Sequence, residues 1–140
     1  MDYVRIYKCL CSWTRLRIVN LLQEGPLCVC HLGEILDLEQ PKVSRHLKAL
    51  KEAGAVETQR CYNWTIYRIT DRPNALLEAN LKCLQDLRGE KAQFRTDLQR
   101  RGELIGRIEA APGEAFPEAI RLYAAGRLEI QGRRVHVRPK

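Results

Sequence analysis

Long apolar runs are missing from this chain: none of its 140 residues belongs to a stretch approaching the roughly 18 that a membrane-spanning helix needs. No membrane span is expected. The opening residues Met1-Asp2-Tyr3-Val4-Arg5 also lack the charged start and apolar block of a secretory leader, so a cytoplasmic protein is expected. Catalytic signatures are absent too. There is no paired general acid and base, no glycine loop to cradle phosphate and no nucleophile motif, and an enzyme is not expected. No internal repeat or low-complexity tract interrupts the chain.

What is present suits a packed domain. A hydrophobic share of 45% supplies a core, and 29% charged residues argue against disorder. The length fits one domain with a terminal appendage. The net charge of +7 is spread almost evenly along the chain, so local clustering decides more than the total. Between Gln40 and Lys51 stand Lys42, Arg45, Lys48 and Lys51 without one acidic residue, a stretch that presents an uncancelled field to phosphate. In a reducing cytosol the six cysteines read as ligands, redox sites or small buried hydrophobes before they read as a disulfide frame.

Residues 3–10 have the apolar period of a short helix. Ser12 can cap a second, with Leu16, Val19 and Leu22 on one face and Gly25 as its stop. Pro26 is placed to begin a third helix, with Leu32, Ile35 and Leu36 facing inward. Gln40-Pro41 opens a fourth. Val43, Leu47 and Leu50 fall at i, i+4, i+7 and pack inward, which leaves Lys42, Ser44, Arg45 and Lys48 toward solvent. Gly54 closes this helix. Val56–Cys61 and Trp64–Thr70 are strand-like and joined by Tyr62-Asn63 as a hairpin turn. Asp71 and Pro73 then open a long helix whose Leu76, Leu77, Leu81, Leu84 and Leu87 suit a dimer seam. After Gly102 the composition changes, with a short helix expected at Pro117–Ala125 and a hairpin about Gln131-Gly132.

This order describes a mainly α (α+β) winged helix-turn-helix. Its DNA-binding and dimerisation domain is expected at residues 1–101, and residues 102–140 form a C-terminal extension that packs against the dimer or a partner. Lys42, Ser44, Arg45 and Lys48 carry donors for phosphates and base edges, and Gln40 suits adenine. Arg60, Tyr62 and Asn63 on the wing suit the minor groove or backbone.

Cys28 and Cys30 in Leu27-Cys28-Val29-Cys30-His31-Leu32 are two thiols one residue apart, a detector for a soft ion. On a regular helix, residues i and i+2 point about 200° apart. The pair is therefore expected to converge on one ion only by unwinding the helix start, which would disturb the helix after it. Cys9 and Cys11 repeat the spacing. His31 reads as a surface histidine before an ion donor, and His46 as facing phosphate or packing. Cys61 is expected exposed at the hairpin turn, and Cys83 beside the leucine stripe.

Residues 7–70 resemble the ArsR/SmtB family of metalloregulatory repressors, and its arsenic-sensing branch in particular. The likeness rests on Thr14-Arg15-Leu16-Arg17-Ile18, on Leu27–Leu32, and on Gln40-Pro41-Lys42-Val43-Ser44-Arg45-His46-Leu47 followed by Leu50 and Gly54, with Trp64–Ile69 fitting the family wing. The resemblance implies a homodimer that binds palindromic operator DNA and releases it when a thiophilic ion binds. Pro26 and His31 stand where the family motif usually has Glu and Asp. Gly33 stands where arsenic sensors often carry a third cysteine.

As(III) and Sb(III) prefer three thiolates, so the expected ligands are Cys28 and Cys30 with Cys11 or Cys9 as the third. Four thiolates from both Cys-x-Cys pairs would suit Cd(II), Pb(II) or Zn(II) instead. A thiol redox switch that needs no ion is a third reading.

Overall fold

A computed structural model describes residues 2–61, 64–110, 128–131 and 134–137. Helix α1 (Tyr3–Leu10) starts where the Asp2 carboxylate accepts from the Val4 N–H at 2.9 Å. Helix α2 (Trp13–Leu22) starts at Ser12, whose Oγ accepts from the Arg15 N–H at 3.4 Å. Ile6 of α1 and Ile18, Val19 and Leu21 of α2 are fully buried. Gly25 and Gly54 take positive φ of 138° and 81°, a conformation that glycine adopts without steric cost.

Between Gly25 and the third helix the chain departs from the sequence expectation. Pro26 does not open a helix. Leu27–Cys28 form a two-residue strand, β1, and helix α3 (Val29–Leu36) follows it. β1 lies antiparallel to β3 (Trp64–Ile69), with Leu27 opposite Tyr67 and Cys28 opposite Ile66. β3 also pairs with β2 (Val56–Cys61) from Val56↔Ile69 to Cys61↔Trp64, so the sheet order is β1-β3-β2. Helix α4 (Gln40–Glu52) has Pro41 in its first turn and buries Val43, Leu47 and Leu50 completely. The mainly α winged helix-turn-helix read from the sequence is present.

The helix expected after the wing, carrying Leu76, Leu77, Leu81, Leu84 and Leu87, is α5 (Ala75–Leu87), and a further helix that the sequence reading did not anticipate follows it. α5 is capped by Asn74, whose Oδ1 accepts from the Leu77 N–H at 2.8 Å, and not by Asp71 or Pro73. α6 (Ala92–Ala110) follows and passes through residues 101–102 without a break. Tertiary bonds hold the joint. Arg88 donates to the Asn20 side chain at 2.8 Å and to Glu24 at 2.7 Å, while Arg95 donates to the carbonyls of Arg88 and Gly89 at 2.8 and 3.0 Å. α6 then lies over α2 and α3, burying Phe94, Leu104 and Ile108. The Phe94 ring sits 5.0 Å from that of Trp13. A separate hairpin pairs β4 (Leu128–Gln131) with β5 (Arg134–Val137). Residues 117–125, expected to be helical, lie outside the described residues. Among those described, no helix is long and apolar enough to cross a membrane.

The fully buried Asp97 accepts two bonds from Arg17, at 2.8 and 2.9 Å, and one from Gln93 at 2.8 Å. Removing one member of such a pair strands the other's charge, at about 3–5 kcal/mol. Asp97→Ala is therefore expected to lower stability by about that amount, whereas a double exchange, Arg17→Met with Asp97→Leu, recovers much of the loss. Urea unfolding of the three proteins checks this.

Candidate metal centre and nucleic-acid interface

Cys28 is the residue before α3, with extended backbone (φ −86°, ψ 165°) imposed by its strand pairing. Cys30 lies in the first turn of α3. Because only one of the two is helical, the 200° separation of a regular helix does not apply, and the sulfurs stand 2.7 Å apart. The expectation that the helix start must unwind before they meet is thus corrected. The pair is free of a disulfide. The hydrogen bond between the two sulfurs holds Cys30 below the ordinary thiol range and, together with burial, pushes Cys28 above it.

His31 is 2% exposed, which corrects its reading as a surface histidine. One of its ring nitrogens and the two sulfurs all lie within 4.8 Å of one another. Burial holds its imidazole neutral, down to about 4 from 6.5; Glu34 opposes this shift and Arg101 adds to it. Sequence reasoning left His31 out of the ligand set. The available signal was its place beside Cys30, where the resembled motif carries an acidic residue.

The other expected thiols lie elsewhere. Cys9 is buried in the core, and burial pushes its thiol up despite the nearby Arg15. Cys11 and Cys83 are exposed, and the side chain of Cys61 lies outside the described residues. Neither Cys9 nor Cys11 joins the group formed by Cys28, Cys30 and His31. Position 33 cannot readily supply a thiolate, since a Cβ there would lie 3.0 Å from the Leu38 carbonyl oxygen.

A cavity of about 560 Å³ joins the thiols to the fourth helix and the wing. It is lined by Cys28, Val29, Cys30, Gln40, Trp64 and Thr65. Gln40, Lys42, Arg45 and Lys48 are exposed along α4, Ser44 is half-buried, and Arg60 is exposed on β2. Tyr62 and Asn63 lie outside the described residues. His46 packs instead of projecting: its Nδ1 accepts from Arg15 Nε at 3.2 Å, and Arg15 also donates to the Cys9 carbonyl at 3.2 Å. One guanidinium thus ties α4 to α1 and α2.

Residues 12–58 match the model of the arsR family of bacterial regulatory proteins. An arsenical resistance operon repressor of Bacillus subtilis is 37% identical over 90 residues, 63% of this chain and 86% of that one. The chain belongs to the ArsR family. An arsenic resistance transcriptional regulator of Pseudomonas putida is 42% identical over 86 residues, covering 61% of this family member and 67% of the relative. Among solved structures, the homodimeric winged helix-turn-helix DNA-binding domain of a possible ArsR-family regulator from Mycobacterium bovis superposes with a TM-score of 0.53. It is 28% identical and covers 62% of this chain and 78% of its own. This ArsR-family protein is a DNA-binding transcriptional repressor, not an enzyme.

The buried imidazole makes stability depend on pH. Its folded value, about 4, lies below the unfolded 6.5, so the unfolded chain takes up the proton first as pH falls. Stability from this group is complete above pH 6.5 and is lost toward pH 4, by on the order of 3 kcal/mol. His31→Gln is expected to remove that part of the pH dependence, read as the difference between wild-type and variant urea midpoints at pH 7 and pH 4.5.

Proposed function

We propose that this repressor is cytoplasmic, binds operator DNA as a homodimer and releases it when As(III) or Sb(III) is held by Cys28 and Cys30. One observation carries the reading. The two sulfurs, 2.7 Å apart, sit at a junction whose strand half is paired with the wing and whose cavity reaches Gln40 at the start of α4. When bound, the ion would supply bonds to both sulfurs in place of the hydrogen bond between them.

The chain's own response follows from distances. Two bonds of roughly 2.3 Å meeting near a right angle separate their sulfurs by about 3.3 Å. Each bond to arsenic forms as a thiol proton leaves with an arsenite hydroxide as water, once at Cys28 and once at Cys30, and the sulfurs must part by about half an ångström. Cys28 is anchored in β1, so the shift passes to β3 through the Cys28–Ile66 pair; Cys30 transmits it to the start of α3. Wing and α4 then no longer present one continuous surface to DNA. That surface is proposed to comprise Gln40, Lys42, Ser44, Arg45 and Lys48, with Arg60, Tyr62 and Asn63 from the wing. The dimer reading is supported by Tyr3, Val4 and Tyr7, which α1 leaves 58–59% exposed, and by the homodimeric neighbour. The proposed division into residues 1–101 and 102–140 would place the joint inside α6.

The close sulfurs favour a second reading, in which peroxide joins them as a disulfide and is itself reduced to water. Thiol counting after mild peroxide, with DNA affinity measured alongside, separates the two.

Gel shifts on an operator duplex obtained by selection test the main reading. Arsenite under reducing conditions is expected to weaken binding 5–150-fold, corresponding to about 1–3 kcal/mol of coupling. The double variant Cys28→Ser/Cys30→Ser binds the duplex and ignores arsenite; unchanged wild-type binding would remove the arsenic reading. On the DNA side, Lys48→Ala is expected to weaken binding evenly across sequences and reduce the salt-dependence slope by about 1.

A further inference from the structure

The thiol pair has a nitrogen neighbour and, among the described residues, no third sulfur. The donors gathered there within 4.8 Å are Cys28 Sγ, Cys30 Sγ and an imidazole nitrogen of His31. Cys9 is in the core, and Cys11 and Cys83 are on the surface. The backbone explains the grouping. An extended residue 28 precedes helical residues 30 and 31, so three side chains from four consecutive positions can turn to one point.

The charge also suits a divalent ion. Two thiolates and a neutral imidazole carry −2, which a doubly charged cation cancels, and a site with Cys28 and His31 buried tolerates a neutral complex better than a net charge. A mixed sulfur and nitrogen set fits a borderline cation, whereas trivalent arsenic favours sulfur throughout. Both sulfurs line the 560 Å³ cavity, so the ion has an entry route.

We propose that Cys28, Cys30 and His31 of a single chain form a site of two sulfurs and one nitrogen for a borderline divalent cation, zinc being the fitting ion, with its fourth position open to the cavity beside Gln40 and Trp64. This deepens the preceding reading by resting on the same two thiols as ligands, but it does not depend on arsenite. The thiol protons of Cys28 and Cys30 leave to solvent on binding, and no redox step is involved.

Reduced protein titrated with cobalt and then zinc is expected to take one ion per chain and to show thiolate-to-cobalt charge-transfer absorption. X-ray absorption at the zinc edge should find two sulfurs and an imidazole bound to the ion in the wild type, a result that needs no variant. His31→Gln should lose the imidazole signature and at least about tenfold in zinc affinity, given that even groups that merely orient a ligand are worth roughly 10–100-fold. Cys9→Ser and Cys11→Ser should leave binding unchanged. A zinc coordination sphere without imidazole, one ion per two chains, or weaker binding in either N-terminal serine variant overturns the proposal. Arsenite release of the operator duplex, measured on His31→Gln, separates the two readings. Release that persists while the imidazole signature is absent from wild type removes only the zinc site. Zinc binding as described with no arsenite release removes only the arsenic reading.

Discussion

Two residue pairs between β1 and β3 govern the geometry of this molecule. Leu27 opposite Tyr67 and Cys28 opposite Ile66 hold residue 28 extended at the point where a helix would otherwise begin. That constraint brings two sulfurs together that a continuous helix would point apart. It also makes the wing a structural neighbour of the thiols, through backbone pairing instead of a chain of side-chain contacts. A displacement of Cys28 cannot be absorbed by a loose loop, because its strand is the edge of a three-stranded sheet.

The helices behind the thiols are held by buried polar bonds as much as by apolar packing. Asp97, Arg17 and Gln93 join α6 to α2, and Asn20 is locked between Arg88 and the Phe94 carbonyl. α6 also reaches α3, where Arg100 donates to the Glu34 carbonyl at 2.8 Å and Arg107 pairs with the Glu34 side chain at 2.7 Å. The exposed Arg107–Glu34 pair contributes little to stability. The carbonyl contact matters more for position, since it satisfies an acceptor near the free end of α3. The thiol-bearing helix is thus gripped from the sheet at its start and from α6 near its end.

Much of this was legible from local chemistry. Ser12 announced α2, the spacing of Val43, Leu47 and Leu50 gave the buried face of α4, and the wing strands lie where their β-branched and aromatic residues suggested. Those signals are local, involving caps, period and turn residues within a few positions. The errors share another character. Pro26 looked like a helix start, His31 like a surface residue, and α6 was not anticipated. In each case a partner distant in sequence decided the matter: β3 for residues 27–28, the packed interior for His31, and α2 with α3 for the helix laid over them.

The amino-acid order alone determined α1, α2, α4 and the wing, the cationic face of α4 and the presence of a paired-thiol motif, because each depends on side chains a few positions apart. Only the tertiary structure decided that the two sulfurs meet without distortion, that an imidazole joins them and that Cys9 and Cys11 do not. The physical reason is that donor convergence is a matter of ångströms set by long-range strand pairing and burial, and neither leaves a trace in spacing along the chain.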